Sequence, residues 1–279
     1  MIKIVTDTTA YLPEATVREH DIRVVPLYVH FGVEAFKETV ELSNEEFYAR
    51  LKAAPALPTT SQPSAGEFLE VFRPLVEGGH EVLVLTLSSK LSGTYASATA
   101  AQAMLPDAPI SVVDTLNTSI ALELMVYAAA EAIQGGATLR QVTAQMEAMK
   151  GQTYTLFVVD TLEYLAKGGR IGAAKALMGT MLSIKPILTL KDGAIEALEQ
   201  VRSKKKAVAR MMDLIQSHVG SRGPEARIAV THALAPEEAE EVRRELVARL
   251  GCQQPYLAEL GPVIGAHTGP GVVAAAVYV

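Results

Sequence analysis

The stretch "EVLVLTLSSKLSGTYASATAAQAML", residues 81–105, decides the fold. It opens with the apolar run Glu81–Leu87, which is typical of a strand buried on both faces of a parallel sheet. A segment rich in serine, glycine and threonine follows, Ser88–Thr94, and then an alanine-rich run that favours a helix. The stretch therefore predicts a strand, a polar turn and a helix whose first backbone N–H groups can hold an anion.

The same alternation of strand and helix extends over residues 1–150. The strand patterns "IKIVTD", "IRVVPLYVHF" and "ISVVDT" are separated by helical patterns, two of which begin near Ser43 and Ser64. Ser64 is followed three residues later by Glu67, which is the sequence pattern of a capping box. This alternation predicts an N-terminal α/β/α domain with a parallel sheet and helices on both of its faces.

Residues 151–279 show a different pattern, in which hairpins and helices are mixed. "LEYLAKGGRIGAAKALMGTML" predicts two helices separated by a glycine break, and Lys191–Gly193 predicts a hairpin turn. Further on, "GPVIGAHTGPGVV" predicts a strand and a glycine-rich turn before the closing strand "VVAAAVYV". These features indicate a C-terminal mixed α+β domain. No linker pattern separates it from the first domain, so we expect a broad interface between them.

The composition excludes several classes of protein. Of the 279 residues, 49% are hydrophobic and 20% are charged, with a formal net charge of -6, so the chain has enough apolar material for a core. The acidic balance argues against a general nucleic-acid-binding protein. The single cysteine, Cys252, excludes an intrachain disulfide and a cysteine-rich zinc site, and it favours a reducing compartment, the cytoplasm.

Two segments bear on membrane targeting. The N-terminal residues enter a strand pattern directly and lack the features of a signal peptide, so we expect none. Leu260–Val279 contains no Asp, Glu, Lys or Arg and has the length of a membrane-spanning helix. Its glycines and prolines, however, are incompatible with a regular helix in lipid, so we expect no membrane span.

Common catalytic motifs are missing from the sequence. It contains no P-loop, no GxSxG elbow, no HExxH and no GxGxxG after a strand. We therefore predict no catalytic residue, no metal and no cofactor. What the sequence does contain is a set of hydrogen-bond donors at strand ends and helix starts, which in an α/β sheet meet at one crevice. They are Thr60, Ser61, Ser92, Gly93, Thr94, Arg170 and His267.

Neutral hydroxyls and backbone N–H groups suit a monocarboxylate or a phosphate, although a phosphate site would use more Lys or Arg. Each candidate also has a structural explanation: Ser92 as a helix cap, Arg170 as a surface ion pair and His267 as a core histidine. An apolar stretch follows Arg170 and supplies candidates for the rest of the site, with ordinary core packing as the alternative. These candidates are Leu177, Met178, Met181, Leu182 and Ile184.

Seven motifs together resemble the DegV family of bacterial fatty-acid-binding proteins. They are "TDTTAYLP", "TTSQPSAGEF", "LSSKLSGTYASA", "VVDT", "LEYLAKGGRIG", "IKPIL" and "GAHTGPG", and they span nearly the whole chain in the family's order. The resemblance implies two α/β domains with a long-chain fatty acid, such as palmitate, in a tunnel between them. It implies that Thr60 and Ser92 hydrogen-bond the carboxylate, with His267 close by and Arg170 near the mouth.

The resemblance also implies a partner. The chain would act like the fatty-acid-binding subunit of bacterial fatty acid kinase, without catalysis of its own. It would present the carboxylate to a dihydroxyacetone-kinase-like enzyme, and the acyl phosphate would feed phospholipid synthesis. The basic run would then contact the kinase through Arg202, Lys204, Lys205 and Lys206.

Two other functions remain open from the sequence. One is a hydrolase or transferase that acts on a small acyl or phosphorylated substrate with His267 as base. The other is a regulatory binding module whose bound lipid only reports supply.

Overall fold

The computed structural model describes residues 1–180 and 184–279. In the first half the elements are β1 (Ile2–Asp7), α1 (Glu14–Glu19), β2 (Arg23–Val25), β3 (Tyr28–Phe31), β4 (Glu34–Lys37), α2 (Asn44–Ala53), β5 (Thr59–Ser61), α3 (Ala65–Glu77), β6 (Glu81–Thr86), α4 (Thr94–Ala103), β7 (Ile110–Asp114), α5 (Ile120–Gln134) and α6 (Leu139–Met149). In the second half they are β8 (Tyr154–Val158), α7 (Glu163–Lys167), β9 (Lys185–Lys191), β10 (Ala194–Val201), α8 (Lys204–Val219), β11 (Arg227–His232), α9 (Pro236–Leu250), β12 (Tyr256–Glu259), α10 (Pro262–Thr268) and β13 (Val273–Tyr278). Short 3₁₀ helices cover Thr8–Ala10, Gly172–Thr180 and Gly220–Glu225.

The first half is built on a parallel sheet with the strand order β2-β1-β6-β7. The central strand β6 alternates between two cores. Val82 and Val84 pack with α3 and α4, whereas Leu83 and Leu85 pack with α5 and α6. The predicted strand, polar turn and helix at residues 81–105 are confirmed, and so is the capping box that begins α3 at Ser64.

One predicted strand is wrong, because "IRVVPLYVHF" forms two strands in two different sheets. Pro26 separates them, since its nitrogen carries no hydrogen for a sheet ladder and its ring restricts the backbone. β2 joins the parallel sheet, and β3 joins a small antiparallel sheet of order β4-β3-β5. This small sheet matters for the site because β5 carries Thr60.

The second half is built on a mixed sheet with the order β10-β9-β8-β13-β11-β12. One of its faces packs against α8 and α9 around Leu156, Met211 and Leu246. The other face turns toward the first half. The predicted fold class is confirmed: a parallel α/β part is combined with a mixed-sheet part. We propose to divide the two parts near residue 150, between α6 and β8.

A second correction concerns residues 262–268, predicted as strand and glycine-rich turn, which form the helix α10. Pro262 occupies the first turn, where a missing N–H is harmless. The next two N–H groups, of Val263 and Ile264, bind Glu38 Oε1 at 2.7 Å and Tyr11 Oη at 3.2 Å. Side chains from the other end of the sequence thus cap the helix, and no local pattern reveals them.

The glycine break after α7 is confirmed, but the segment that follows it is a 3₁₀ helix rather than an α-helix. The hairpin at Lys191–Gly193 is confirmed between β9 and β10. Within the described part of the chain, no helix is long and apolar enough to cross a membrane.

Candidate functional site

A cavity lies between the two halves of the molecule, with a volume of about 880 Å³ counting its mouth. The mixed sheet supplies one wall, which includes Phe157, Leu190, Ile195 and Ala274. Helices and loops of both halves supply the opposite wall, which includes Leu87, Leu91, Ile120, Leu165, Val263 and Ile264. The wall is therefore mostly apolar and continuous from one half to the other.

Thr60 and His267 meet at one end of this cavity, although 207 residues separate them in sequence. Thr60 Oγ1 lies 2.7 Å from His267 Nε2, so strand β5 of the first half touches helix α10. The glycine break of the second half lies against the same imidazole, because a Cβ built on Gly168 would collide with His267 Nδ1. Three of the predicted motifs thus meet at one ring.

Ser92 lies beside this group, in the turn before α4. Its Oγ accepts a hydrogen bond from the Thr94 backbone N–H at 3.3 Å and lies 2.9 Å from Thr94 Oγ1. A serine hydroxyl has one donor and two acceptor positions, so with Thr94 donating both bonds the Ser92 hydrogen is available to the cavity. The turn is fixed against the Thr60 loop, since Gln62 packs directly on Gly93.

Arg170 links the two halves at the same place. Its Nε donates to the carbonyl of Leu91 at 3.0 Å, and its Nη1 donates to the carbonyl of Gly168 at 2.8 Å. A guanidinium has five N–H donors, so these two bonds leave others that can face the cavity. Among the described residues that line the cavity, Arg170 is the one with a permanent charge.

The imidazole of His267 is neutral at physiological pH. Burial, and next the positive charge of Arg170, lower the pKa of His267 to about 4. The polar end of the cavity therefore combines one positive charge with neutral hydroxyls and a neutral imidazole. Ser61 adds a further hydroxyl, which lies 2.8 Å from His30 Nε2. This arrangement suits one singly charged anion attached to an apolar body.

Two predicted donors lie off the cavity wall. Gly93 packs against Gln62, and Thr94 is fully buried with its N–H bonded to Ser92. Their contribution is to fix the turn that carries Ser92.

Among the described residues, the apolar ones that line the cavity differ from the candidates after Arg170. Leu177, Met178 and Ile184 are not part of the wall, and 42% of Met178 is exposed. Met181 and Leu182 lie outside the described residues. The assignment of these five side chains to a ligand remains a prediction. Alternate residues of the mixed sheet, such as Thr155 and Phe157, line part of the cavity.

The predicted basic surface is present at the start of α8, but its four residues differ in how exposed they are. Arg202, Lys205 and Lys206 are exposed, whereas Lys204 is half-buried between Asp160 at 3.3 Å and Glu238 at 2.9 Å. In the residues that the structure covers, no three His, Cys, Asp or Glu side chains are grouped as metal ligands would be.

Comparison with known proteins identifies the family. The DegV family model matches residues 1–279. The chain belongs to the DegV family. The family member named Protein DegV from Bacillus subtilis is 36% identical over 273 residues, covering 98% of this chain and 97% of that protein. A DegV domain-containing protein of Streptomyces coelicolor is 41% identical over 274 residues, covering 98% of this chain and 96% of its own length.

Solved structures of DegV proteins have the same fold. A DegV family protein from Thermus thermophilus, described as binding fatty acid, superposes with a TM-score of 0.94 at 36% identity and covers 99% of both chains. A stearic acid-binding protein from Eubacterium ventriosum superposes with a TM-score of 0.92 at 28% identity, covering 100% of this chain and 98% of its own. The resemblance inferred from the motifs is confirmed, and so is the fold class.

A buried acidic group that positions α10 was missed by sequence reasoning. Glu38 is fully buried and accepts hydrogen bonds from Thr8 Oγ1, Tyr11 Oη and the Val263 N–H. Burial raises the pKa of Glu38 to about 7. Tyr11 Oη in turn accepts a hydrogen bond from the N–H of Ile264. Residues near the N-terminus of this DegV protein therefore hold the start of α10, the helix that carries His267. A lone glutamate in a strand-rich segment carries no sequence signal for such a contact.

Proposed function

We propose that this protein binds one long-chain fatty acid, with the carboxylate at the His267 end of the cavity and the acyl chain along the mixed sheet. The single observation that carries the proposal is that the cavity wall is divided into a polar end and an apolar remainder. One end combines the Arg170 charge with hydroxyls and a neutral imidazole, and the rest is largely apolar. The relatives described as binding fatty acid or stearic acid share this fold over nearly their full lengths.

The contacts suggest how the carboxylate is held. With the hydrogen of His267 on Nε2, the ring donates to Thr60 Oγ1, and the Thr60 hydroxyl then donates to a carboxylate oxygen. Ser92, oriented by Thr94, donates to the carboxylate as well. Arg170 supplies the opposite charge, because a buried carboxylate without a cation or several donors is strongly unfavourable.

The acyl chain supplies most of the affinity. Burying a C16 chain contributes roughly 12 kcal/mol at about 0.8 kcal/mol per CH₂, before the loss of translational and rotational freedom is subtracted. A ligand of this kind stays with the protein during purification. The wall that receives it includes Phe157, Leu190 and Ile195 of the mixed sheet.

We propose further that the bound carboxylate is presented to a kinase of the dihydroxyacetone-kinase type in the cytoplasm, for acyl phosphate formation and phospholipid synthesis. The support is the resemblance of the motifs to the fatty-acid-binding subunit of fatty acid kinase. The exposed side chains of Arg202, Lys205 and Lys206 are the docking candidates. Lys204 is a weaker candidate, because Asp160 and Glu238 already compensate its charge.

An enzymatic role with His267 as base is less well supported. The pair of Thr60 and His267 has the distance of a nucleophile and its base. A base is most effective when its pKa is near the working pH, however, and the pKa of His267 is lowered to about 4. Its Nδ1 also has no hydrogen-bond partner among residues 1–180 and 184–279, so no carboxylate orients the ring.

The test is mass spectrometry of an organic extract from the purified, denatured protein, together with its intact mass under native conditions. We expect one fatty acid per chain. Ser92→Ala should reduce the occupancy, whereas Thr99→Ala should not, because the Thr99 hydroxyl only bonds the Tyr95 carbonyl within α4. An empty protein that also fails to take up added palmitate would refute the proposal. Turnover of acyl esters by the protein alone, lost in His267→Ala, would favour the enzymatic role instead.

A further inference from the structure

Three hydroxyl groups on the cavity wall have no hydrogen-bond partner in the part of the chain that the structure describes. They belong to Thr118, Ser119 and Thr155. Ser119 and Thr155 are each only 6% exposed. Buried hydroxyls are normally hydrogen-bonded, because an unpaired one loses its water without compensation. A set of three on one cavity wall is therefore a candidate for contact with a ligand.

Thr155 lies away from the carboxylate end. β8 begins at Tyr154 and ends at Val158, and the chain then enters α7 and the Gly168 break beside His267. Thr155 is at the opposite end of that strand. Three residues of strand at about 3.3 Å each place Thr155 roughly 10 Å along β8 from Val158. The cavity thus has a second polar region, separated from the first by apolar wall.

Ser119 and Thr155 line the same cavity from different halves of the molecule. Thr155 and Tyr256 lie in one row across β8, β13, β11 and β12, so about 14 Å separates them at roughly 4.8 Å per strand. Tyr127 of α5 stacks on Tyr256, with 4.4 Å between ring centres. Ser119 precedes Tyr127 by eight residues, which span about 12 Å of helix. The length of α5 from Tyr127 back to Ser119 is therefore comparable to the width of the row from Tyr256 to Thr155, and both Ser119 and Thr155 are on the cavity wall.

The backbone holds the Ser119 hydroxyl out of its usual place. A serine before a helix normally accepts an N–H of the first turn, but Ser119 makes no such side-chain bond to α5. Its φ is 53° and its ψ is -137°, a backbone conformation that residues other than glycine rarely adopt. The neighbouring wall is apolar and includes Ile120, Leu190 and Ile195. The Ser119 hydroxyl is therefore available for a hydrogen bond to a ligand in the cavity.

We infer that the cavity selects acyl chains that carry a hydroxyl group away from the carboxylate, with Ser119, Thr155 and Thr118 as its hydrogen-bond partners. The inference rests on the proposed fatty-acid binding. A neutral oxygen fits this region better than a second charge, because no Lys or Arg among the described lining residues lies near it. A plain acyl chain would leave the three hydroxyls without a partner from the ligand.

The test uses lipid-free protein and isothermal titration calorimetry with stearic acid and a series of hydroxystearic acids that differ in the position of the hydroxyl. We expect one position to bind about tenfold more tightly than the other members of the series. The double variant Ser119→Gly with Thr155→Val should lose this maximum and bind stearic acid within about twofold of the wild type. Glycine suits the positive φ at position 119, and valine keeps the shape of threonine.

Thr231→Val is the matched control, because Thr231 lines the same cavity but its hydroxyl already donates to the Ala258 carbonyl at 2.9 Å. The control should keep the maximum. A flat series in a wild type that binds stearic acid would overturn the inference and show that the three hydroxyls hold water only. Retention of the maximum in the double variant would overturn it too. Failure of every fatty acid to bind, stearic acid included, would refute the proposed function itself.

Discussion

Replacing Thr60 with valine removes one hydroxyl and keeps the shape of the side chain. In the structure this hydroxyl is the partner of His267 Nε2 at 2.7 Å. The variant leaves the buried imidazole N–H unpaired and a carboxylate oxygen short of one donor. Each loss is worth about 1–3 kcal/mol. We therefore expect the dissociation constant for palmitate to rise about 5- to 150-fold.

The assay is competition with a fluorescent fatty acid on lipid-free protein, with chemical denaturation in parallel. Thr99→Val is the control, since its hydroxyl is also in the first half but bonds only its own helix. Because the imidazole loses its partner in the free protein as well, the Thr60 variant should lower the free energy of unfolding by about 1–3 kcal/mol. Affinity and stability both equal to those of the control would show that the pair of Thr60 and His267 does not hold the carboxylate.

Three further predictions follow from the same geometry. Gly168→Ala should displace the imidazole and reduce fatty-acid occupancy at least about tenfold in a mass spectrometric assay, whereas Gly179→Ala, where an added Cβ meets nothing within 4 Å, should not. Burial raises the pKa of Glu38 from 4.5 to about 7 and that of Glu123 from 4.5 to about 8, so these groups stabilise the fold below pH 4.5 and lose that contribution as pH rises through 7 and 8. Between pH 5 and 8 the free energy of unfolding should decrease by at least about 1.4 kcal/mol less in Glu123→Gln than in the wild type. The same decrease in both proteins would contradict this prediction. Reversing the charges of Lys205 and Lys206 should slow acyl phosphate formation by an added fatty acid kinase and spare lipid binding; a rate insensitive to both the reversal and salt would count against docking there.

Local patterns were sufficient where local interactions decide the structure. The apolar run of β6, the capping box at Ser64 and the turn at Lys191–Gly193 each depend on residues within a few positions of one another, and all three are confirmed. Strand alternation also identifies which residues of a strand share a face. It does not tell which face meets the cavity, so Thr155 and Phe157 were missed as wall residues.

Interactions between distant parts of the chain decide the features that local patterns did not predict. α10 has only seven residues, too few for a stable helix alone, and its N–H groups are bound by Glu38 and Tyr11. The sequence around His267 is rich in glycine and so indicated a turn. The role of the apolar candidates after Arg170 remains a prediction, because a run of Leu and Met suits ordinary core packing as well as a cavity wall.

The place of β13 in the mixed sheet has a consequence for biosynthesis. This strand comes last among the described elements, yet it lies in the middle of the sheet, between β8 and β11. Until the ribosome has released residues 273–278, both neighbours keep an open edge that can pair with another chain. The cavity wall that contains Ala274 is incomplete for the same period. A nascent chain that lacks β13 therefore has an incomplete cavity wall, so we expect the proposed lipid binding to follow the synthesis of this strand.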